Sequence, residues 1–330
     1  MVHQDMMAPP PAEIVKAKPA RANRRASAPP APLRPAETGR LDRDDARWHV
    51  RFMLEARYQK LRERLRECGS CVVAYSGGVD SAFLARVAHD VLGEKALAVI
   101  ADTPSLPRRE LAEALELGRR HGFPVRVIRT REFANPEYRA NPVNRCYFCK
   151  HELFRELLPL ARREGFAVVL YGENADDAGD HRPGARAAEE FTVRAPLKEV
   201  GLTKPDIREL SARLGLPTAD KPQMACLSSR VPYGEPVTPE KLRMIEEAEY
   251  VLRDLGFRDV RVRHHELKQG HLARLELGPG EMKKLLAGNL GARVAEAIRA
   301  HGYAHVTLDL RGYRRGSLNE PLPNRARLPA

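Results

Sequence analysis

The stretch Cys71-Val72-Val73-Ala74-Tyr75-Ser76-Gly77-Gly78-Val79-Asp80-Ser81 decides the fold. Its first five residues make an apolar run of strand length. From Ala82 to Leu92, Leu84, Val87, Ala88 and Val91 return on one helical face. Between strand and helix, Gly77 and Gly78 permit a tight turn whose N–H groups aim inward, and the helix N-terminus adds its positive end. Ser76 and Ser81 bring hydroxyls, and Asp80 can reach a Mg²⁺ held by the same phosphates. The loop lacks the GxxxxGK[ST] of a Walker A site and the GxGxxG of a dinucleotide fold, so a different nucleotide chemistry is indicated.

Outward from this loop the pattern repeats. Residues 96–101 (ALAVIA), 125–128 (VRVI) and 167–171 (AVVLY) are further strand-sized apolar runs. The helix over Pro107–His121, with Leu111, Leu115 and Leu117 on one face, takes Ser105 as its cap. Strands apolar throughout and separated by helices predict an α/β fold, a doubly wound parallel sheet with ligands beyond the strand C-termini. Two other strand ends, Asp102 and the Gly172-Glu173-Asn174 turn, then lie on the same edge as the loop, where they can line a nucleotide. From Val237 the pattern changes: Thr238-Pro239-Glu240 opens a helix that stops at Gly256. Alternating strands over 260–263, 273–277 and 306–311 follow, with one helix over 281–300 before the last. This reads as a smaller C-terminal α+β domain. Its sheet packs one face on helices and presents Arg261, Arg263, Arg274, Glu276, Thr307, Asp309 and Arg311 on the other, so that Arg261 and Arg263 read equally well as a solvated face. The predicted divisions are a tail over 1–45, the nucleotide domain over 46–236 and the small domain over 237–330.

Charge and cysteine usage narrow the class. The chain has 330 residues and a formal charge of +12, but residues 1–40 hold seven Lys or Arg against three acids, with eight Pro, and read as a disordered basic tail. With much of the charge there and no recognisable RNA-binding module, the composition argues against a nucleic-acid partner. No apolar run of about 18 residues is present, so the expectation is a cytoplasmic protein with no membrane partner. Five Cys do not make a disulfide framework. Cys146 and Cys149 form a CxxC after a Pro-containing loop, and Cys226 lies in a polar, basic setting that favours a thiolate. A closed zinc site would add Cys226 with His151 or His181, whereas three thiolates and an open position suit an iron–sulfur cluster better. Cys68 and Cys71 read as buried small residues.

The SGGVDS loop resembles that of the ATP pyrophosphatases, or PP-loop proteins, which bind the pyrophosphate end of ATP and adenylate a substrate oxygen. Residues 172–177 (GENADD), 180–184 (DHRPG), 194–197 (RAPL), 225–234 (ACLSSRVPYG) and 309–319 (DLRGYRRGSLN) make the likeness specific: from about Cys71 to Asn319 the chain resembles the LarE family of sulfur transferases. The resemblance implies a HUP-like fold, and ATP and Mg²⁺ bound by Ser76, Gly77, Gly78, Asp80, Ser81, Asp102 and Gly172. It implies adenylation of a pyridinium dicarboxylate mononucleotide and delivery of sulfur to give a thiocarboxylate for the nickel-pincer cofactor. Simpler members sacrifice the Cys that matches Cys226; those with a CxxC are thought to hold a [4Fe–4S] cluster. This chain, with Cys146, Cys149 and Cys226, resembles the cluster type. Arg182, Arg194, Ser229, Arg230, Arg261 and Arg263 are the groups expected around the substrate phosphate and carboxylates, with Glu190, Asp309 and Lys198 behind them. The resemblance also implies a homo-oligomer. Rival readings are a tRNA thiolase using the same adenylation, and a zinc-stabilised nucleotide-binding protein that does not turn over.

Overall fold

The structure is a computed structural model, and it describes residues 14–15, 43–179, 183–222, 225–314, 317 and 320. The larger unit runs β1 (Ile14–Val15), α1 (Arg43–Cys68), β2 (Cys71–Ala74), α2 (Val79–Leu92), β3 (Ala96–Asp102), α3 (Arg108–His121) and β4 (Val125–Arg129). It continues through α4 (Pro136–Arg139), α5 (Arg145–Arg163), β5 (Val168–Tyr171), α6 (Pro183–Glu190), α7 (Pro196–Glu199) and α8 (Lys204–Arg213). The sheet order is β1-β4-β3-β2-β5, with β2 parallel to β3 and β5, and β3 parallel to β4. Successive side chains of each strand feed opposite cores, as the two-residue period requires. Val73, Ala98 and Leu170 pack with Leu61 and Leu65 of α1, Phe83 and Leu84 of α2, and Ile207 and Leu210 of α8. Val72, Val99 and Val169 pack with Phe154 and Leu157 of α5 and Ala187 of α6. This is the doubly wound parallel sheet the apolar runs predict.

Strand order reverses between β2 and β5, so a crevice opens outside their C-terminal ends, and the loop Ser76–Gly78 enters it directly from β2. Parallel connections start every crossover at this same edge. The first turns of α2, α3 and α5 therefore all lie there, and α5 begins with the CxxC.

The smaller unit comprises α9 (Pro239–Asp254), β6 (Val260–Leu267), β7 (Gly270–Leu277), α10 (Pro279–Leu286), α11 (Leu290–Arg299) and β8 (His305–Leu308). Its sheet runs β6-β7-β8, antiparallel then parallel, over a core of Leu252, Val260, Val262, Leu275, Val294 and Ile298. Thr238 caps α9 by accepting from the Lys241 N–H, as the Thr-Pro-Glu start predicts.

Four expectations need correcting. The helix over 281–300 is two, broken at Gly288, whose φ of +57° a continuing helix cannot hold. Pro107, not Ser105, is the residue before α3, and the Ser105 hydroxyl is buried against Tyr138 and Ser228. The polar face of the small sheet is not solvated around Arg261, Arg263 and Glu276: all three are buried beneath the Cys226–Arg230 turn and the segment through Tyr313 and Ser317. Within the tail, Ile14 and Val15 pair with Val125 and Arg126, covering backbone groups that would stand open on the edge of β4. Among the described residues, no helix is long and apolar enough to cross a membrane.

Candidate functional site

The glycine loop takes its shape from its own side chains. Gly77 has a φ of +71°, and a Cβ there would meet the Ala114 Cβ at 2.8 Å. Ser81 Oγ accepts from the Ser76 N–H at 3.1 Å and lies 3.0 Å from Ser76 Oγ, so the two serines close the loop on each other. Gly172, at the end of β5, packs on the first turn of α2, where a Cβ would come 2.9 Å from the Ser81 nitrogen. Its visible role is this close approach, which brings the β5 end against the loop.

Asp80 Oδ2 accepts from Lys204 Nζ at 2.5 Å, while Oδ1 is buried without a partner among the described residues. A carboxylate with one orphaned oxygen at a phosphate loop fits a divalent ion, and Asp80 is the residue that would hold Mg²⁺. Lys204 escaped the sequence reading. Thr203-Lys204-Pro205-Asp206 forms a capping box at the start of α8, and the Lys204 N–H donates to Asp176 Oδ2 at 2.7 Å, but nothing in the letters ties that helix start to the loop. Asp102, at the end of β3, pairs with Arg108. A cleft of 490 Å³ adjoins Gly77 on the side of Leu117 and Thr218. Glu113, Glu116 and Asp220 line it together with Arg120 and Lys221, so its charges are largely paired among themselves.

Cys146 and Cys149 occupy the first turn of α5, and Cys226 precedes the short turn Leu227–Arg230. Cys146 and Cys226 are exposed and Cys149 half-buried. Protein nonetheless crowds the thiols: burial, then the neighbouring Cys226, pushes both the Cys146 and the Cys149 thiol up. Exposure combined with desolvation describes a concave site. The three sulfurs are near enough to act on one another electrostatically but are not gathered as ligands of one ion, for which tetrahedral zinc would need sulfurs about 3.8 Å apart. A cluster offers separate irons and holds its thiolates further apart, so this soft donor set fits a cluster.

The Cys226 turn is fastened from several sides. Leu227 N–H donates to the Ser105 carbonyl at 2.9 Å, and the Ser228 hydroxyl lies 2.8 Å from Ser105 Oγ and 3.0 Å from the Tyr138 hydroxyl. Arg145, buried and adjacent to Cys146, donates to Asn141 and to the Ser228 carbonyl at 2.9 Å. Burial alone would lower its pKa, but Cys226 and Cys146 outweigh that and raise it, so a fixed cation faces both thiols. Sequence reasoning passed over Arg145; its only signal was adjacency to the CxxC. Arg230, with no exposed surface, forks onto Glu249 of α9 at 2.8 and 3.0 Å and donates to the Ala225 and Cys226 carbonyls. Glu249 overcomes the burial and holds Arg230 above its ordinary value, and Arg230 holds Glu249 low in return.

The expected anion-binding groups therefore separate. Arg230 is spent on the turn that carries Cys226. Arg263 donates to the Ser229 carbonyl at 2.7 Å and to Glu276 and Ser317. Ser229 Oγ donates to the Cys226 carbonyl at 2.8 Å. Arg261 lies over the Tyr313 ring at 5.1 Å, and burial followed by repulsion from Arg230 lowers its pKa. Arg194 is not brought to the others: Glu199 holds its guanidinium, which also reaches Cys68 Sγ, three residues before β2 begins. Arg182 lies outside the described residues.

The fold and the glycine loop define a PP-loop, HUP-like protein of the ATP-using superfamily. In keeping with that, the chain is 25% identical over 232 residues to one of the subunits of the glutamine-hydrolysing GMP synthase of Archaeoglobus fulgidus, covering 62% of this chain and 71% of that one. It is 34% identical over 259 residues to the pyridinium-3,5-bisthiocarboxylic acid mononucleotide synthase of Lactiplantibacillus plantarum, with 78% of this chain and 92% of the relative aligned. An uncharacterized protein of Synechocystis is 45% identical over 270 residues, 82% of this chain and 99% of its own length. No family model matches. The chain belongs to the LarE family, that of the pyridinium-3,5-bisthiocarboxylic acid mononucleotide synthases.

Proposed function

We propose that this protein is an ATP-dependent sulfur transferase acting on pyridinium-3,5-dicarboxylate mononucleotide. The observation that carries the reading is the Cys226 turn, held to the start of the CxxC helix by Arg145 at the strand edge where the glycine loop opens. A carboxylate is a poor electrophile. Attack by its oxygen on the α-phosphorus of ATP expels pyrophosphate and leaves an acyl adenylate, from which a sulfur nucleophile can expel AMP. The loop N–H groups, the α2 N-terminus and Lys204 offset charge on the departing pyrophosphate, and Asp80 would hold a Mg²⁺ that would add to this charge neutralisation.

Sulfur reaches the acyl carbon either from a cluster that Cys226 helps to hold or from Cys226 itself, whose thiolate would attack that carbon and expel AMP. If the cysteine itself is the donor, its Cβ–S bond then breaks with loss of the α-proton, leaving dehydroalanine and a thiocarboxylate. Cys146, Cys149 and Cys226 would hold a [4Fe–4S] cluster, which supplies sulfur without consuming the protein. Arg145 works against the burial that raises the Cys146 and Cys149 thiols, and Arg263 holds the turn by its Ser229 carbonyl. Pyrophosphate release by anaerobically purified protein with Mg-ATP, offered the mononucleotide or bulk tRNA in parallel, tests the assignment. Release with the mononucleotide is expected; release with tRNA alone would overturn it.

A further inference from the structure

The geometry points to a second, separate metal site, for a divalent transition ion held by His264, Glu266 and His271 at the outer end of the β6–β7 hairpin. It is independent of the sulfur chemistry. The row Val260, Val262, His264, Glu266 faces one side of β6 and begins as core. Register sets His271 of β7 opposite Glu266, so a hairpin end that would otherwise finish in apolar residues carries two imidazoles and a carboxylate on one face. One potential ligand atom from each lies within 4.8 Å of the other two.

The ring chemistry supports the assignment. His264 has no exposed surface, and its Nδ1 lies 3.2 Å from the Tyr303 hydroxyl, an outer-sphere contact of the kind that fixes a ligating tautomer. Its other nitrogen, Nε2, is buried with no partner among the described residues, and so is Nδ1 of His271, whose ring stands 4.7 Å from that of His264. A core histidine kept only for packing would satisfy both nitrogens or give way to an apolar residue. Two buried, unpartnered nitrogens on neighbouring rings instead suit a cation. Lys241 neutralises Glu266 through Oε1 at 2.5 Å, and the carboxylate of Glu235 accepts from the Glu266 N–H, so the surroundings tolerate one added ion. Glu266 is exposed and gives the ion its way in. Two imidazoles and one carboxylate select Zn²⁺, Co²⁺ or Ni²⁺ over Mg²⁺ or Ca²⁺.

The test is Co²⁺ titration of the full chain after chelator treatment, in a Cys146→Ala, Cys149→Ala, Cys226→Ala background that removes the competing thiolates. One equivalent should bind with visible d–d bands, no sulfur-to-cobalt charge transfer and a raised thermal midpoint. His271→Gln, at a half-buried position that leaves the hairpin ladder intact, should weaken binding at least about tenfold, and Glu266→Gln likewise. No uptake in the triple-cysteine variant, or uptake unchanged by His271→Gln in protein of native circular dichroism, would overturn the site.

Discussion

Arg230 shows how a residue's chemistry can be legible while its task is not. The sequence marks it as a cation four residues after Cys226, and a forked guanidinium suits a substrate anion. In the folded chain that fork is taken by Glu249, nineteen residues on, and the remaining donor holds two carbonyls of the Cys226 turn. Only the packing of α9 on the turn decides this, and no local pattern carries that information. Arg230→Met should cost about 3 kcal/mol in urea unfolding at pH 7, because it leaves a buried carboxylate with only the longer 3.8 Å pairing to Arg253. The pH dependence has a defined sign. Glu249 in the wild type is held low, so its contribution is complete above the ordinary carboxylate range and is lost only as pH falls through its depressed value. Without Arg230, burial raises Glu249 against only the weaker pulls of Arg261 and Arg253, so the folded state binds the proton more readily and the deficit of the variant shrinks on acidification from pH 7 to pH 5. A deficit that stays constant or grows would contradict the pairing.

Elements were the most legible level, for a physical reason. Strands buried on both faces must be apolar throughout, and helices packed on them must repeat their apolar residues with the helical period, so β2 to β5 and α2 stand out in the letters. Caps were legible where the side chain itself makes the bond, as Thr238 does, and illegible where tertiary contacts recruited the hydroxyl, as with Ser105. The alternation of β6 and β7 was readable, but not that chain from elsewhere covers their polar face. Gly172 tests the junction between elements. Gly172→Ala should destabilise by about 1–3 kcal/mol and raise the KM for ATP, since its methyl group would push the first turn of α2 away from β5. Thr238→Ala, which removes only the α9 cap, should cost about 1 kcal/mol and leave that KM unchanged. Equal effects of the two on KM would show that the β5–α2 approach does not shape the loop.

For the whole molecule, the two units are joined through the candidate site rather than beside it. Arg230 pairs with Glu249, Arg263 holds the Ser229 carbonyl, and Arg109 of α3 pairs with Asp254 while stacking on Tyr250 at 4.0 Å. The smaller unit thus sets the position of a cysteine that precedes it in sequence, across the strand edge that holds the phosphate loop. This is why the cysteines and the loop could be recognised one by one, while Arg145 and Lys204, which tie them to their surroundings, could not. The account rests on the proposal that Cys226, as donor or as cluster ligand, is needed for sulfur to reach a carboxylate already activated by ATP. Pyrophosphate and thiocarboxylate measured together in an anaerobic reaction of Cys226→Ala test that most directly. The account predicts that pyrophosphate release persists and thiocarboxylate is abolished; thiocarboxylate formed at the wild-type rate would contradict it.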